Sequence, residues 1–194
     1  TCALPILLKD KEVMKVLSVS VILYITNIVS TNFFSLYVTQ WLGIESRYLA
    51  FFPILNAAVM LIFMIGIQHK LELVKFRIPM WIGLALYAIA VILLILAPTG
   101  SIPFVIVYVF VVAVAGSLVM PRKDALIQLN INAEERARIN ALIMSFTIAF
   151  SSPFGYFAGW LSSIDRRLPF MFSFALFLVA IIIVGRIRDP EFSK

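Results

Sequence analysis

From Ile78 to Pro121 the chain carries no charged residue, and Val16 to Ile44, Tyr48 to Gln68, Ile139 to Ile164 and Leu168 to Gly185 are equally free of charge. About 20 largely apolar residues in a helix cross the ~30 Å hydrocarbon layer of a bilayer. The Ile78–Pro121 stretch is long enough for two crossings, and the APTGSIP segment, Ala97 to Pro103, supplies the turn between them. Six spans follow, at approximately 13–42, 48–68, 77–97, 102–124, 136–163 and 168–186. Lipid admits only helices or closed barrels, because each backbone polar group must find its partner inside the protein. The runs are continuous and far longer than barrel strands of roughly ten alternating residues. The expected fold is an all-α membrane protein, a six-transmembrane-helix bundle in one domain.

Composition agrees. Of 194 residues, 62% are hydrophobic and 13% charged, against about 25% charged in a soluble domain. That is too little polar surface for a water-facing globule, so the lipid bilayer is the expected partner. The net charge of +6 sits at the ends of apolar runs, which argues for a membrane rather than nucleic acid. One cysteine and one histidine, Cys2 and His69, build neither a disulfide nor a metal site. The chain begins at Thr1, so an upstream part is expected.

Lys and Arg set the orientation. Six spans place both termini and the loops after spans two and four on one side. That side receives 13 basic residues, and Arg47, Arg166 and Arg167 are left for the other. The positive-inside rule makes the first side cytoplasmic, and the expected location is the plasma (inner) membrane. Trp41, Tyr48, Trp81 and Trp160 lie near span ends, where aromatic side chains anchor at the interface. In NAEERARINALIMSFTIAFSSPFGYFAGW, Asn132 to Trp160, the charges form the cytoplasmic mouth of span five. Glu134 and Glu135 there complement the helix dipole.

No Asp, Glu, Lys, Arg or His occupies the middle of any span. A proton relay normally needs one; Asp124 at the inner end of span four is the nearest. No catalytic, cofactor-binding or metal-ligating pattern is present, so enzyme chemistry has no support. Span one has a sharper feature. Ser20, Tyr24, Asn27, Thr31 and Ser35 fall within a sector of about 80° on a helix, and Asn32 lies about 100° off it. Such a stripe either lines a substrate pathway or hydrogen-bonds neighbouring helices, at ~0.6 kcal/mol per contact. Asn56 in span two is a second mid-membrane amide with the same two readings. Pro121 in span four and Pro153 in span five are expected to bend their helices. Gly155 and Gly159 form a small-residue pair one turn apart, suited to close packing or to a gate. Arg122, Lys123 and Asp124, with Glu135 and Arg136 opposite, are inner-mouth charges that meet headgroups or form a latch between helices.

Several stretches carry a resemblance to a family: YVTQWLGIESRYLAFFPI, with its Leu-Gly turn between helices; the short basic loop after span two; NINAEERARINAL leading into SSPFGYFAGW and the short outer loop SSIDRRLPF; and the basic tail RIRDPEFSK. From about Leu7 to Asp189 the chain resembles the C-terminal six-helix half of a major facilitator superfamily transporter. One stretch departs from that family's pattern: GIQHKLELVKFR, Gly66 to Arg77, lacks the Asp and the second Gly of the loop that follows the second helix. The resemblance implies two six-helix halves with solute bound between them near the midplane. The partner is then a missing N-terminal half or a second copy of this chain. The resemblance turns the first and fourth helices toward the central cavity, and the second in part. It makes Tyr24, Asn27, Thr31 and Asn56 candidate pathway residues, and Pro121, Pro153, Gly155 and Gly159 candidate hinge residues. The expected function is secondary active transport of a small organic solute by alternating access. The alternative is a non-transporting six-helix structural or assembly subunit.

The charge asymmetry is open to a direct check. Reporter tags at the two ends of the chain are expected to be protected together in sealed right-side-out cells and exposed together on the cytoplasmic side. Tags in opposite compartments would overturn the six-span count.

Overall fold

The computed structural model describes residues 11–66, 76–129 and 136–187. The chain forms α1 (Lys11–Leu36), α2 (Phe51–Gly66), α3 (Arg77–Ile95), α4 (Ile102–Leu129), α5 (Arg136–Ile164) and α6 (Leu168–Gly185). Six helical segments among the described residues are long and apolar enough to cross a membrane, and no strand occurs among these residues. Pro121 and Pro153 lie inside α4 and α5, which continue through them. α4 also runs past the expected end at residue 124, to Leu129. The first span reaches Trp41 through a widened turn, Tyr37–Trp41. In that turn the Leu42 amide donates to the Tyr37 carbonyl at 3.0 Å and the Ile44 amide to the Val38 carbonyl at 3.0 Å. Such widened turns are rare inside helices and recur where function needs an irregular backbone.

The helices pair in a pattern with an internal exchange. α3 packs on α4, and α6 packs on α1; α2 packs on α4, and α5 on α1; α3 and α6 meet each other at the back. Swapping the first three helices for the last three leaves these pairings unchanged. Because three is odd, successive three-helix units cross in opposite senses. The departure is that α5 also leans on α6.

Close approach between α3 and α4 rests on a missing side chain. A Cβ built on Gly83 would stand 2.5 Å from Val119 Cγ2 and 3.0 Å from the Ala115 carbonyl oxygen. Without a hydrophobic drive between helices in lipid, such backbone proximity and van der Waals packing hold the pair. Aromatic contacts tie the rest: Tyr87 of α3 stacks on Phe177 of α6 at 5.0 Å, and Phe34 of α1 lies between Phe52 of α2 and Tyr108 of α4. α2 buries only Phe52 and turns Ile54, Leu61, Ile62 and Ile65 outward, the composition of a surface that meets lipid tails.

The two ends of the bundle differ. At one end the Lys15 ammonium donates to the Arg186 carbonyl at 2.6 Å, which places the start of α1 beside the end of α6. At the other end several contacts converge. The Tyr37 hydroxyl, 1% exposed, donates to the Leu94 carbonyl at 3.2 Å, and its ring meets Phe170 at 4.9 Å. The Arg167 guanidinium lies 4.6 Å over Trp41. Two turn glycines with left-handed backbone, Gly43 (φ 68°) and Gly100 (φ 78°), bring their loops together, and the Gly100 amide donates to the Leu42 carbonyl at 2.6 Å. This far end is closed by the chain's own contacts.

Gly83→Ala is expected to cost about 1–3 kcal/mol through overpacking, read as a lower thermal midpoint in detergent. Gly185→Ala, where nothing lies within 4 Å of a new Cβ, is expected to leave the midpoint in place.

Candidate functional site

The site grows out of α1. Its apolar residues Val16, Val19, Ile22, Leu23, Ile25 and Val29 are buried against α5, α6 and α4. This packing fixes the rotation of the helix and turns Tyr24, Asn27, Thr31 and Ser35 away from the bundle, where all four are exposed, Tyr24 to 37%. Ser20 begins the stripe but is buried, and its hydroxyl is satisfied by the Val16 carbonyl at 2.9 Å. Several other intramembrane hydroxyls do the same: Ser18 donates to Met14, Thr26 to Leu23, Ser117 to Ala113 and Ser173 to Pro169. The Asn27 amide and the stripe's exposed hydroxyls lie on the open side of α1, whereas Ser18, Ser20, Thr26, Ser117 and Ser173 are satisfied within their own helices.

The lower part of the stripe opens onto a cavity of about 460 Å³ between α1, α4 and α5. Ser20, Tyr24 and Asn27 line it from α1, Met120, Lys123 and Asp124 from α4, and Asn140, Met144 and Thr147 from α5. It lies toward the end of the bundle where α1 starts and α6 ends. The Lys123 ammonium stands 3.0 Å from the Asp124 carboxylate at its wall. A smaller cavity of about 80 Å³ continues inward between α1, α3, α4 and α6, lined by Thr26, Ser30, Tyr87 and Tyr108 among others. Tyr108 and Ser30 hydrogen-bond there. Asn27 borders both cavities, so one amide joins the larger, open chamber to hydroxyls at the centre of the bundle. A chamber of this size, mostly apolar with a few converging polar groups, suits a small organic molecule.

The structure sorts the candidate residues. Tyr24, Asn27 and Asp124 come together at the larger cavity, and Thr31 continues the same exposed face two turns of chain away from Tyr24. Asn56 is half-buried on α2, which packs on α4, and lines neither cavity. Gly155 and Gly159 seat α5 on α1: a Cβ on each would come 3.7 Å from Ile28 and 3.9 Å from Phe33. Arg122 is 5% exposed and engaged within the protein, so a headgroup contact is replaced by an inward-facing charge beside Pro121. Arg136 is the first residue of α5, and Glu135 lies outside the described residues. Among the described residues no three His, Cys, Asp or Glu side chains gather as a metal site.

Asn140 and Thr147 are the site residues that sequence spacing did not single out. Asn140 reads as part of a charged loop mouth and Thr147 as one of several span-five hydroxyls; only the packing of α5 on α1 brings them opposite Tyr24 and Asn27. Compared with protein-family models the chain matches none, and no curated protein matches it by sequence.

Cysteines placed at Asn27 and Thr31 are expected to react with a membrane-impermeant thiol reagent added to inside-out vesicles, in a Cys2→Ser background. Cysteines at Thr26 and Val29, buried to 4% and 0% exposure, are expected to stay unmodified. Equal reactivity at all four would contradict the rotation of α1.

Proposed function

We propose that the chain is one six-helix half of a secondary transporter of the major facilitator type, moving a small organic solute by alternating access. The observation that carries this reading is the exposed Tyr24–Asn27–Thr31 face of α1, continuous with the 460 Å³ cavity. An amide or hydroxyl in hydrocarbon without a partner costs roughly 2–7 kcal/mol, far more than an interhelical hydrogen bond returns. This face therefore does not meet lipid tails. It meets water, solute or a second unit whose own polar groups complement it.

The exchange symmetry of the helix pairing supports the same reading, because nested three-helix inverted repeats build each half of such transporters. α1 and α4 occupy equivalent places in the two units, and both line the cavity. A partner half, from the same longer chain or a second copy, supplies the opposite wall. With its far end tied by Tyr37, Arg167 and the Gly43 and Gly100 turns, the half is open toward the side of its termini. The charge bias makes that side cytoplasmic. α5, seated on α1 by Gly155 and Gly159, is the element that moves as the halves rock. No intramembrane carboxylate is needed in this half if the coupling group resides in the other.

The test is reconstituted flux of the complete transporter. Asn27→Leu is expected to lower uptake about fivefold, the loss of a hydrogen bond worth about 1 kcal/mol, and Thr31→Leu to lower it by a similar factor, with insertion and thermal midpoint unchanged. Normal flux in both variants would remove this face from the solute path and favour a non-transporting assembly subunit whose polar face is sealed by another chain.

A further inference from the structure

The gap between α1 and α5 has two sides of opposite character. On one side lies the larger cavity, with its few converging polar groups. On the other a groove of about 450 Å³ is lined by Met14, Leu17, Ile25, Phe146, Phe150 and Phe154, with α6 contributing Leu176. The groove is almost wholly apolar: of the residues that form it, only Ser18 is polar, and its hydroxyl is held by the Met14 carbonyl at 2.9 Å. Ile143 lines both the groove and the cavity. One side chain of α5 thus stands between a lipid-facing furrow and a polar chamber.

The furrow has the depth of one leaflet. Along α1 it runs from Met14 to Ile25, about 16 Å at 1.5 Å per residue, which is half of a ~30 Å hydrocarbon layer. Its shallow end sits at Lys15, whose ammonium reaches the Arg186 carbonyl, the level of headgroups. Its wall is a ladder of aromatic rings, Phe146 to Phe150 at 6.0 Å and Phe150 to Phe154 at 6.2 Å. Phe146 and Phe150 are more than half exposed. On the other side of Ile143 the wall is still largely apolar, with Leu23, Met120 and Ile127, but it adds uncharged amides and hydroxyls and one ion pair that offers a charge of each sign, Lys123 and Asp124.

We propose that this half receives a single-chain amphipath with a zwitterionic head from the leaflet at its termini side. The hydrocarbon chain lies in the Phe146–Phe150–Phe154 groove, the head enters the cavity beside Asn27 and Asn140, and Ile143 marks the passage between them. A head of both charges pairs with Lys123 and Asp124 without leaving either unmatched. An apolar tail in the groove leaves the polar groups of the cavity to the head. This inference rests on the transport reading and narrows its solute to a molecule that partitions into the membrane.

The probe is lysophosphatidylcholine carrying a mid-chain diazirine, added to the protein in nanodiscs, irradiated, and mapped by mass spectrometry. Labelling is expected to concentrate on residues 142–154 of α5, about fivefold above the exposed Ile54–Ile65 face of α2, a difference near 1 kcal/mol. Ile143→Trp, which fills the passage, and Asn140→Leu, which removes a head contact at the cavity wall, are each expected to lower groove labelling severalfold. If Ile143→Trp fails to insert, Asn140→Leu decides alone. Even labelling of α2 and α5 would show ordinary boundary lipid and overturn the proposal. Groove labelling that persists unchanged in Asn140→Leu would show a tail site with no head in the cavity, and would overturn it too. The readout needs no flux. Impaired flux in Asn27→Leu together with even labelling sinks this inference and leaves the transport reading standing; enriched labelling without flux sinks the transport reading and, with it, the claim that the amphipath is the solute.

Discussion

A polar side chain in hydrocarbon must find a partner, and α1 carries an amide and hydroxyls on the face that its own bundle leaves uncovered. That single constraint organises the molecule. The apolar face of α1 is consumed by contacts with α5 and α6, so the rotation of the helix is not free. Ser20 can hide because its hydroxyl bonds back to Val16. Asn27 has no such local solution for a full amide, and it sits where two cavities meet. Whatever lies against this face must present water or polar groups along that line.

The bundle around α1 is held by shape more than by polarity. Gly83 lets α3 and α4 touch at backbone distance, and Gly155 and Gly159 face Ile28 and Phe33 of α1 with room for a Cβ. Polar contacts are concentrated instead at the far end, where Tyr37, Arg167 and two left-handed glycine turns knit the helix ends and loops. The result is a bundle with one closed end and one end at which α1, α4 and α5 stand apart. The widened turn at Tyr37–Trp41 lies at the closed end, where it leaves the end of α1 with an irregular backbone.

Much of the architecture was legible from charge-free runs alone. The six spans and the turns at Leu42–Gly43 and Pro98–Gly100 follow from length and from the conformational freedom of glycine. The stripe on α1 was also legible, because period and spacing place residues on a face without reference to any neighbour. Whether that face was glue or lining was not: the two readings differ in what lies opposite, and spacing says nothing about that. Asn56 shows the limit from the other side. Its type and depth match Asn27, but α2 packs on α4 at the edge of the bundle and its amide reaches neither cavity. Arg122 beside a membrane mouth reads as a headgroup contact until the fold buries it.

What the amino-acid order determined by itself is that six segments are long and apolar enough to cross a bilayer, because transfer of apolar and charged groups between water and lipid depends on local composition. It also determined which residues of each helix share a face, since that depends only on 3.6 residues per turn. The tertiary structure alone decided which faces meet. Asn140 and Thr147 come opposite Tyr24 and Asn27, and Ile143 comes to divide an apolar furrow from a cavity with polar groups, only because α5 packs on α1 at this rotation. Such docking is a sum of weak van der Waals contacts between residues more than a hundred positions apart, and no local pattern in the chain encodes that sum.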